Sequence, residues 1–340
     1  MPGVNERTGK TLRPRARGQV SDHPQALAWQ PYGSAVAVAA LTGHITVFQA
    51  GDGAVRATLA GHAAGTLGLA MHPTGTLLAS GGQDGALRFW SLPEGQLVHE
   101  HPAGRVWIER LAWSPDGRWC VAGAGKRLLW WDQTERRAVE SEPLPATISD
   151  VAWSPDGRTV AATSYGGVWI WSPGAPRAAR QLTWKGSALR LAWSPDGRFI
   201  ATGDQDASVH FWYVADGRDL RMWGFPNKVR ELAWDAGGRY LATGGGPDIA
   251  VWDCADPGPE GREPFLCQLT AAPVTALSWR TQSNLLVGGH ADGSLALWQP
   301  PLAMSPVAQG EPAAPVVEVC WSPGGQALVV ARADGQIEFH

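Results

Sequence analysis

Charge is scarce in this sequence. Only 17% of its 340 residues are Asp, Glu, Lys or Arg, against about a quarter in ordinary soluble domains. The formal net charge of −3 gives no general attraction for nucleic acid. Apolar residues nevertheless make up 44% of the chain, which is ample material for a core and excludes a disordered protein. No apolar run approaches the ~18 residues of a membrane span. The opening Met1–Arg7 is followed by no apolar stretch, which excludes a secretory leader. The four cysteines, Cys120, Cys254, Cys267 and Cys320, show no paired spacing and read as reduced thiols of a cytoplasmic protein. Neither G-x-S-x-G nor H-E-x-x-H occurs. Gly123-Ala124-Gly125-Lys126 is not a phosphate loop, because Cys120 and Arg127 stand where a Gly and a Ser or Thr are required. His99-Glu100-His101 lacks a third metal ligand, and His23, His44 and His290 read as surface loop residues. The expectation is therefore no catalytic residue, no cofactor and no metal.

What the chain has instead is 42 Gly, 26 Pro and 19 Trp. About one residue in five is Gly or Pro, too many helix breakers for a helical protein. One phrase recurs, Leu111-Ala112-Trp113-Ser114-Pro115-Asp116-Gly117-Arg118, and returns as Val151–Arg158 and Leu191–Arg198. Weaker copies give anchors at Trp29, Met71, Trp113, Trp153, Trp193, Trp234, Trp279 and Trp321, at intervals of 40 to 45 residues. That period belongs to four-stranded propeller blades. A large aliphatic residue two before each anchor and Ala one before most of them alternate as on a strand. Ser-Pro-Asp-Gly supplies a turn, Asp84-Gly85 and Asp292-Gly293 supply hairpins, and each third strand ends on an aromatic or on His340.

These features resemble the WD40-repeat family, in its bacterial type with eight repeats, over nearly the whole chain. The second copy carries the family's full set, Gly61-His62, Ser80, Asp84 and Trp90. The resemblance implies that His62, Ser80, Asp84 and Trp90 form a structural hydrogen-bond relay. In the fifth copy Trp184 stands in the place of the His, and the literal Trp-Asp pair occurs at Trp131-Asp132 and Trp252-Asp253. The implied architecture is all-β: an eight-bladed WD40 β-propeller closed by an N-terminal strand. Residues 1–11 read as a basic tail and 12–340 as one propeller, within which 12–20 supply the missing outer strand of the last blade.

The family docks ligands most often on the face bearing the loops that lead into the first strand. Six Trp exceed the repeat's own needs, and three of them, Trp107, Trp184 and Trp223, lie in such loops. Phe225 is near the last, and Arg105, Arg110, Lys185, Arg190, Lys228 and Arg230 accompany them. Aromatics interleaved with cations are the composition of a binding hot spot. These ten residues are the candidate partner-binding set. The residues three before the anchors carry alternating charge, which predicts an inter-blade chain Arg110–Asp150–Arg190–Glu231. The expected function is a monomeric, non-catalytic scaffold binding one or more proteins or peptides on the loop face, with anionic partners among them. Membrane association is excluded and nucleic acid disfavoured. The alternatives are an enzymatic or metal-handling site at the channel mouth, or a reader of acidic or phosphorylated peptides.

Overall fold

The computed structural model describes residues 10–340. The first nine residues of the expected basic tail lie outside them. Strands and turns account for all regular structure among the described residues, and none of it is a helix long and apolar enough to cross a membrane.

Within a copy the chain runs antiparallel from strand to neighbouring strand. In the second copy Thr66–Met71 pairs with Leu77–Gly82, that strand with Ala86–Ser91, and that with Leu97–Pro102. The alternation read from the sequence sets this up: the large residue and the small one (Ala, Ser278 or Cys320) before each anchor face different neighbours. The anchor Trp then does a second job. The indole N–H of Trp113 donates to the carbonyl of Ala70, that of Trp153 to Ala112, Trp193 to Ala152 and Trp234 to Ala192. Trp279 donates to Ala233 in the same way. Five anchors thus reach the small residue of the preceding copy, where a larger side chain would hold the indole away; Met71 has no indole, and the Trp321 N–H finds no acceptor. The Ser-Pro-Asp-Gly turns are locked locally: Asp116 accepts from Ser114 Oγ and the Arg118 amide, and Gly117 sits at φ 74°.

The expected eight-bladed ring closed by a strand is corrected by the hydrogen-bond pattern, which gives seven sheets among the described residues, each an open ladder. The fourth and fifth copies share one six-stranded sheet. Its joint is the long strand Arg180–Trp193, which pairs with Val160–Trp171 at Tyr165↔Ser187 and with Phe199–Asp204 from Ala188↔Asp204 onward. The chain stays extended through Lys185-Gly186 where other copies turn. Gly167 makes room for it: a Cβ there would lie 2.0 Å from the Leu182 carbonyl oxygen.

Among the described residues no ladder joins the first sheet to the last. Ala16–Gln19 pairs with Gln336–Phe339 as the outer strand of the last sheet only. Lys10–Leu12, placed mostly in the tail by sequence, runs parallel to Ala303–Gly310 at the edge of another sheet. First and last sheets meet through side chains instead. Trp29, Val36 and Phe48 pack with Val329, Ile337 and Phe339, and Trp29 Nε1 donates to the Cys320 carbonyl. Comparable apolar clusters fill the other sheet-to-sheet spaces. The innermost strands surround a central cavity of about 650 Å³.

Candidate functional site

Because the strands alternate in direction, the loop leading into a first strand and the hairpin after the second lie at one end of the sheet. Trp107, before Ile108–Trp113, and Trp223, before Leu232–Trp234, occupy such loops. They are 57% and 78% exposed. Tyr165, at the hairpin within Val160–Trp171, is 54% exposed on the same face. Sequence reading passed over Tyr165, although a Tyr-Gly-Gly hairpin where other copies carry Asp-Gly was a visible signal.

Beneath Trp107 lies a cavity of about 470 Å³ opening toward the central channel. Glu109, Arg110, Arg190 and Arg230 line both spaces, so they form the boundary between mouth and channel. The strand starts explain the placement: Arg110 and Arg190 each sit three residues before an anchor Trp, on the channel-facing side. Arg105 and Lys228 are exposed on the surrounding loops, and Lys185 is exposed on the long strand Arg180–Trp193. Trp184 is not presented outward. Its ring packs 4.0 Å from His210 with the Arg221 guanidinium over it, and it buries part of the joint between the fourth and fifth copies. Phe225 is half-buried, its ring centroid 6.4 Å from that of Trp252.

The predicted charge chain is corrected. Arg110 Nε lies 3.8 Å from Asp150 Oδ1, an ion pair too long for a hydrogen bond. Asp150 then turns its carboxylate to backbone, accepting from the amides of Val151 and Leu191 at 3.0 Å each. It therefore ties the fourth copy to the fifth without engaging Arg190. Among the described residues neither Arg190 nor Arg230 has a carboxylate within 4.0 Å, and Glu231 has no cationic partner at that range. Burial, with the Arg190 charge adding to it, holds the Arg110 guanidinium below its ordinary range, opposed by Asp150. Glu318 faces the same channel from the last sheet. Burial pushes its carboxyl up to about 7, against the opposing pull of Arg110 and Arg190. Burial also raises Glu231.

His62, Ser80, Asp84 and Trp90 come together in the second copy. His62 Nδ1 meets Asp84 Oδ1 at 2.8 Å, and Nε2 meets Ser80 Oγ at 2.8 Å. Trp90 Nε1 donates to the same Ser80 oxygen at 2.8 Å. The neutral tautomer with its proton on Nδ1 satisfies all three contacts, with the Ser80 hydroxyl donating to Nε2. His62 is buried, and burial holds its pKa below the usual 6.5 against the pull of Asp84. Arg88 adds a clamp, donating to Asp84 at 2.8 Å, to the Gly61 carbonyl at 2.9 Å and to Glu100 at 2.6 Å.

Two further histidines serve packing. His290, expected in a surface loop, is instead buried in the strand Leu286–His290 and bonds the Ala272 carbonyl through Nδ1. His99 stacks on Trp131, ring centroids 4.2 Å apart. Among the described residues no group of three or more His, Cys, Asp or Glu is placed to hold a metal ion.

The family model described as WD domain, G-beta repeat matches residues 53–91, 95–132, 142–172, 180–213 and 265–299, more than half of the chain. The chain belongs to the WD40 family. The bacterial, eight-repeat subdivision read from the sequence is corrected, since the WD40 model finds five repeats and the similar proteins are eukaryotic. The small ribosomal subunit protein RACK1 of Medicago sativa is 37% identical over 86 residues, 25% of this chain and 26% of that protein. Its namesake in Caenorhabditis elegans is 29% identical over 96 residues, 28% of this chain and 29% of that protein. THO complex subunit 6 of Arabidopsis thaliana is 24% identical over 140 residues, 39% of this chain and 38% of that protein. This WD40 chain thus spans about a quarter to two-fifths of the length of these curated relatives.

Proposed function

We propose that this protein is a non-catalytic interaction scaffold that binds a partner protein or peptide on the loop face above the third to sixth copies. One observation carries the reading. Four large aromatic side chains are exposed among the described residues, Tyr32, Trp107, Tyr165 and Trp223, and the last three share that face. Exposed Trp and Tyr on rigid loops offer large contact area at small entropic cost. Arg105, Lys185, Lys228 and Arg230 surround them with cations. The names of the similar proteins point the same way, since RACK1 is named as a ribosomal subunit protein and the THO protein as a complex subunit. Both names describe components of assemblies.

Affinity capture from the native host, comparing the full chain with a Trp107→Ser/Trp223→Ser variant, tests this. Proteins retained by the parent and lost from the variant, at unchanged melting temperature, are the expected result. An identical set on both baits would move the binding surface elsewhere.

A further inference from the structure

We propose that Arg110, Arg190 and Arg230 form an anion seat at the channel mouth, which takes one carboxylate or phosphoryl group, and that filling it draws a proton onto Glu318. The inference rests on the loop-face reading above and specifies the chemistry of the group inserted.

Three observations on geometry carry it. First, the three guanidiniums bound one cavity of about 470 Å³ at the point where it meets the channel. Second, they are under-partnered. Arg110 Nε is buried without a hydrogen-bond partner, and its ion pair with Asp150 is long. Asp150 spends its oxygens on two backbone amides. Arg190 and Arg230 have no carboxylate within 4.0 Å among the described residues. Three cations gathered there with only the long Asp150 contact as a close ion pair, although Glu109, Glu231 and Glu318 line the same spaces, leave guanidinium N–H groups free for an anion, and guanidinium forks match carboxylate and phosphoryl oxygens. Third, two of its three members are held on strands, Arg230 being exposed on the loop before Leu232–Trp234. Arg110 and Arg190 project from the inner strands Ile108–Trp113 and Arg180–Trp193, so their orientation costs little on binding.

Glu318 supplies the coupling. It lies on the inner strand Val316–Trp321 and faces Arg110 and Arg190 across the channel. The other titratable or charged groups lining that channel are His23, Glu109, Arg230 and Glu231, and Cys320 follows two residues on. Arg110 and Arg190 favour the ionised form of Glu318, and burial favours the protonated one. An anion on the seat cancels the arginine field and leaves burial opposed by the Leu27 backbone alone. Glu318 then takes up a proton from solution, and by linkage the anion binds more tightly as pH falls through about 7.

Calorimetric titration of the full chain tests this without any partner protein. The probes are sulfate, a non-titrating surrogate for a phosphoryl group, and glutarate, a surrogate for acidic side chains. Each is measured at pH 7 in two buffers of different ionisation enthalpy. Expected are saturable binding of at least one probe, a loss of roughly tenfold or more in Arg190→Gln/Arg230→Gln, and uptake of up to about half a proton that vanishes in Glu318→Gln. Tighter sulfate assigns the seat to phosphorylated partners, and tighter glutarate to acidic ones. Melting curves confirm that the variants fold, and a bound sulfate in a crystal of the parent chain gives a second readout should Arg190→Gln/Arg230→Gln unfold. No binding of either probe, or equal binding by the folded variant, overturns the seat. Buffer-independent heats overturn the coupling. These failures are separate from that of the capture experiment, because anions can bind where no protein docks, and a protein can dock on Trp107 and Trp223 alone.

Discussion

The second and fifth copies build the same corner of a blade from different polar parts. In the second, His62 reaches in from the leading loop and every polar atom of the chain Asp84–His62–Ser80–Trp90 has a partner. In the fifth, Trp184 holds the place of that histidine, and its single N–H finds no acceptor. The imidazole comes instead from the third strand, as His210, and the carboxylate from the second, as Asp204. These positions match Arg88 and Gly82 in the second copy. His210 Nδ1 meets Asp219 at 2.9 Å, but Nε2 stands 3.9 Å from Asp204. Both Asp204 oxygens, His210 Nε2 and the Trp212 indole N–H are left without partners. Burial, with nearby Asp206 adding, pushes the Asp204 carboxyl up to about 8, so it is protonated in the fold at neutral pH. The lesson is that the architecture does not require the relay. Indole-to-carbonyl bonds and apolar packing hold a copy in place even where its polar interior is incomplete.

The last copy gives the sharpest way to break this comparison, because the same two positions there hold a fully buried ion pair. Arg332 Nε and Nη2 lie 2.9 and 3.0 Å from Glu338, and Nη1 donates to the carbonyls of Gly293 and Ala314. Arg332→Ala strands the Glu338 charge and is expected to cost about 3–5 kcal/mol in urea unfolding. A loss below 1 kcal/mol would mean that polar pairs at this corner are dispensable everywhere. His62→Ala comes next, at about 2 kcal/mol at pH 7.5, because Asp84 and Ser80 lose their partner. The effect shrinks on acidification. The folded pKa of His62 lies below its unfolded value of 6.5, so its contribution is present at neutral pH and lost as pH falls through 6.5. A penalty that grew toward pH 5 would reverse the assigned tautomer and charge.

The fifth copy should respond in the opposite sense. The Asp204 pKa is raised, so its burden is absent below about 3.8 and grows as pH rises to about 8. Asp204→Asn is expected to match the parent unfolding free energy at pH 4 and to exceed it at pH 8, by about 1–2 kcal/mol. Equal curves at both pH values would show that Asp204 is already satisfied. The smallest effect is that of Trp184→Leu, about 0.5–1 kcal/mol from the lost stacking on His210. Its decisive readout is the His210 pKa measured by NMR. Burial now lowers it, so thinning its cover should bring it back up toward 6.5.

Much of the fold was legible because it is written in period and turn chemistry. The anchors, the Ala before most of them and the Ser-Pro-Asp-Gly turns each answer to local geometry. The number of sheets was not legible in the same way. Whether the fourth and fifth copies share a ladder depends on Lys185-Gly186 staying extended, and no residue there forbids a turn. The site was half legible. Arg110, Arg190, Arg230 and Trp107 converge as their positions before the anchors suggested, whereas Trp184 was read as surface and packs inward. The charge chain failed because Asp150 had nearer amides than Arg190, a competition that a list of charges does not reveal.

The indole bonds between copies carry one more consequence. A linear stack of repeats frays from its terminal units, which have a neighbour on one side only. Here Trp29 reaches Cys320 as Trp113 reaches Ala70, so the first and last copies each have two neighbours. There is no terminal unit from which unravelling can start. Amide exchange in the inner strands should then show one shared opening free energy around the ring instead of a gradient from the chain ends. The junctions at Met71 and Trp321 already do without such a bond and rely on packing, so Trp29→Phe is expected to lower protection chiefly in the first and last copies.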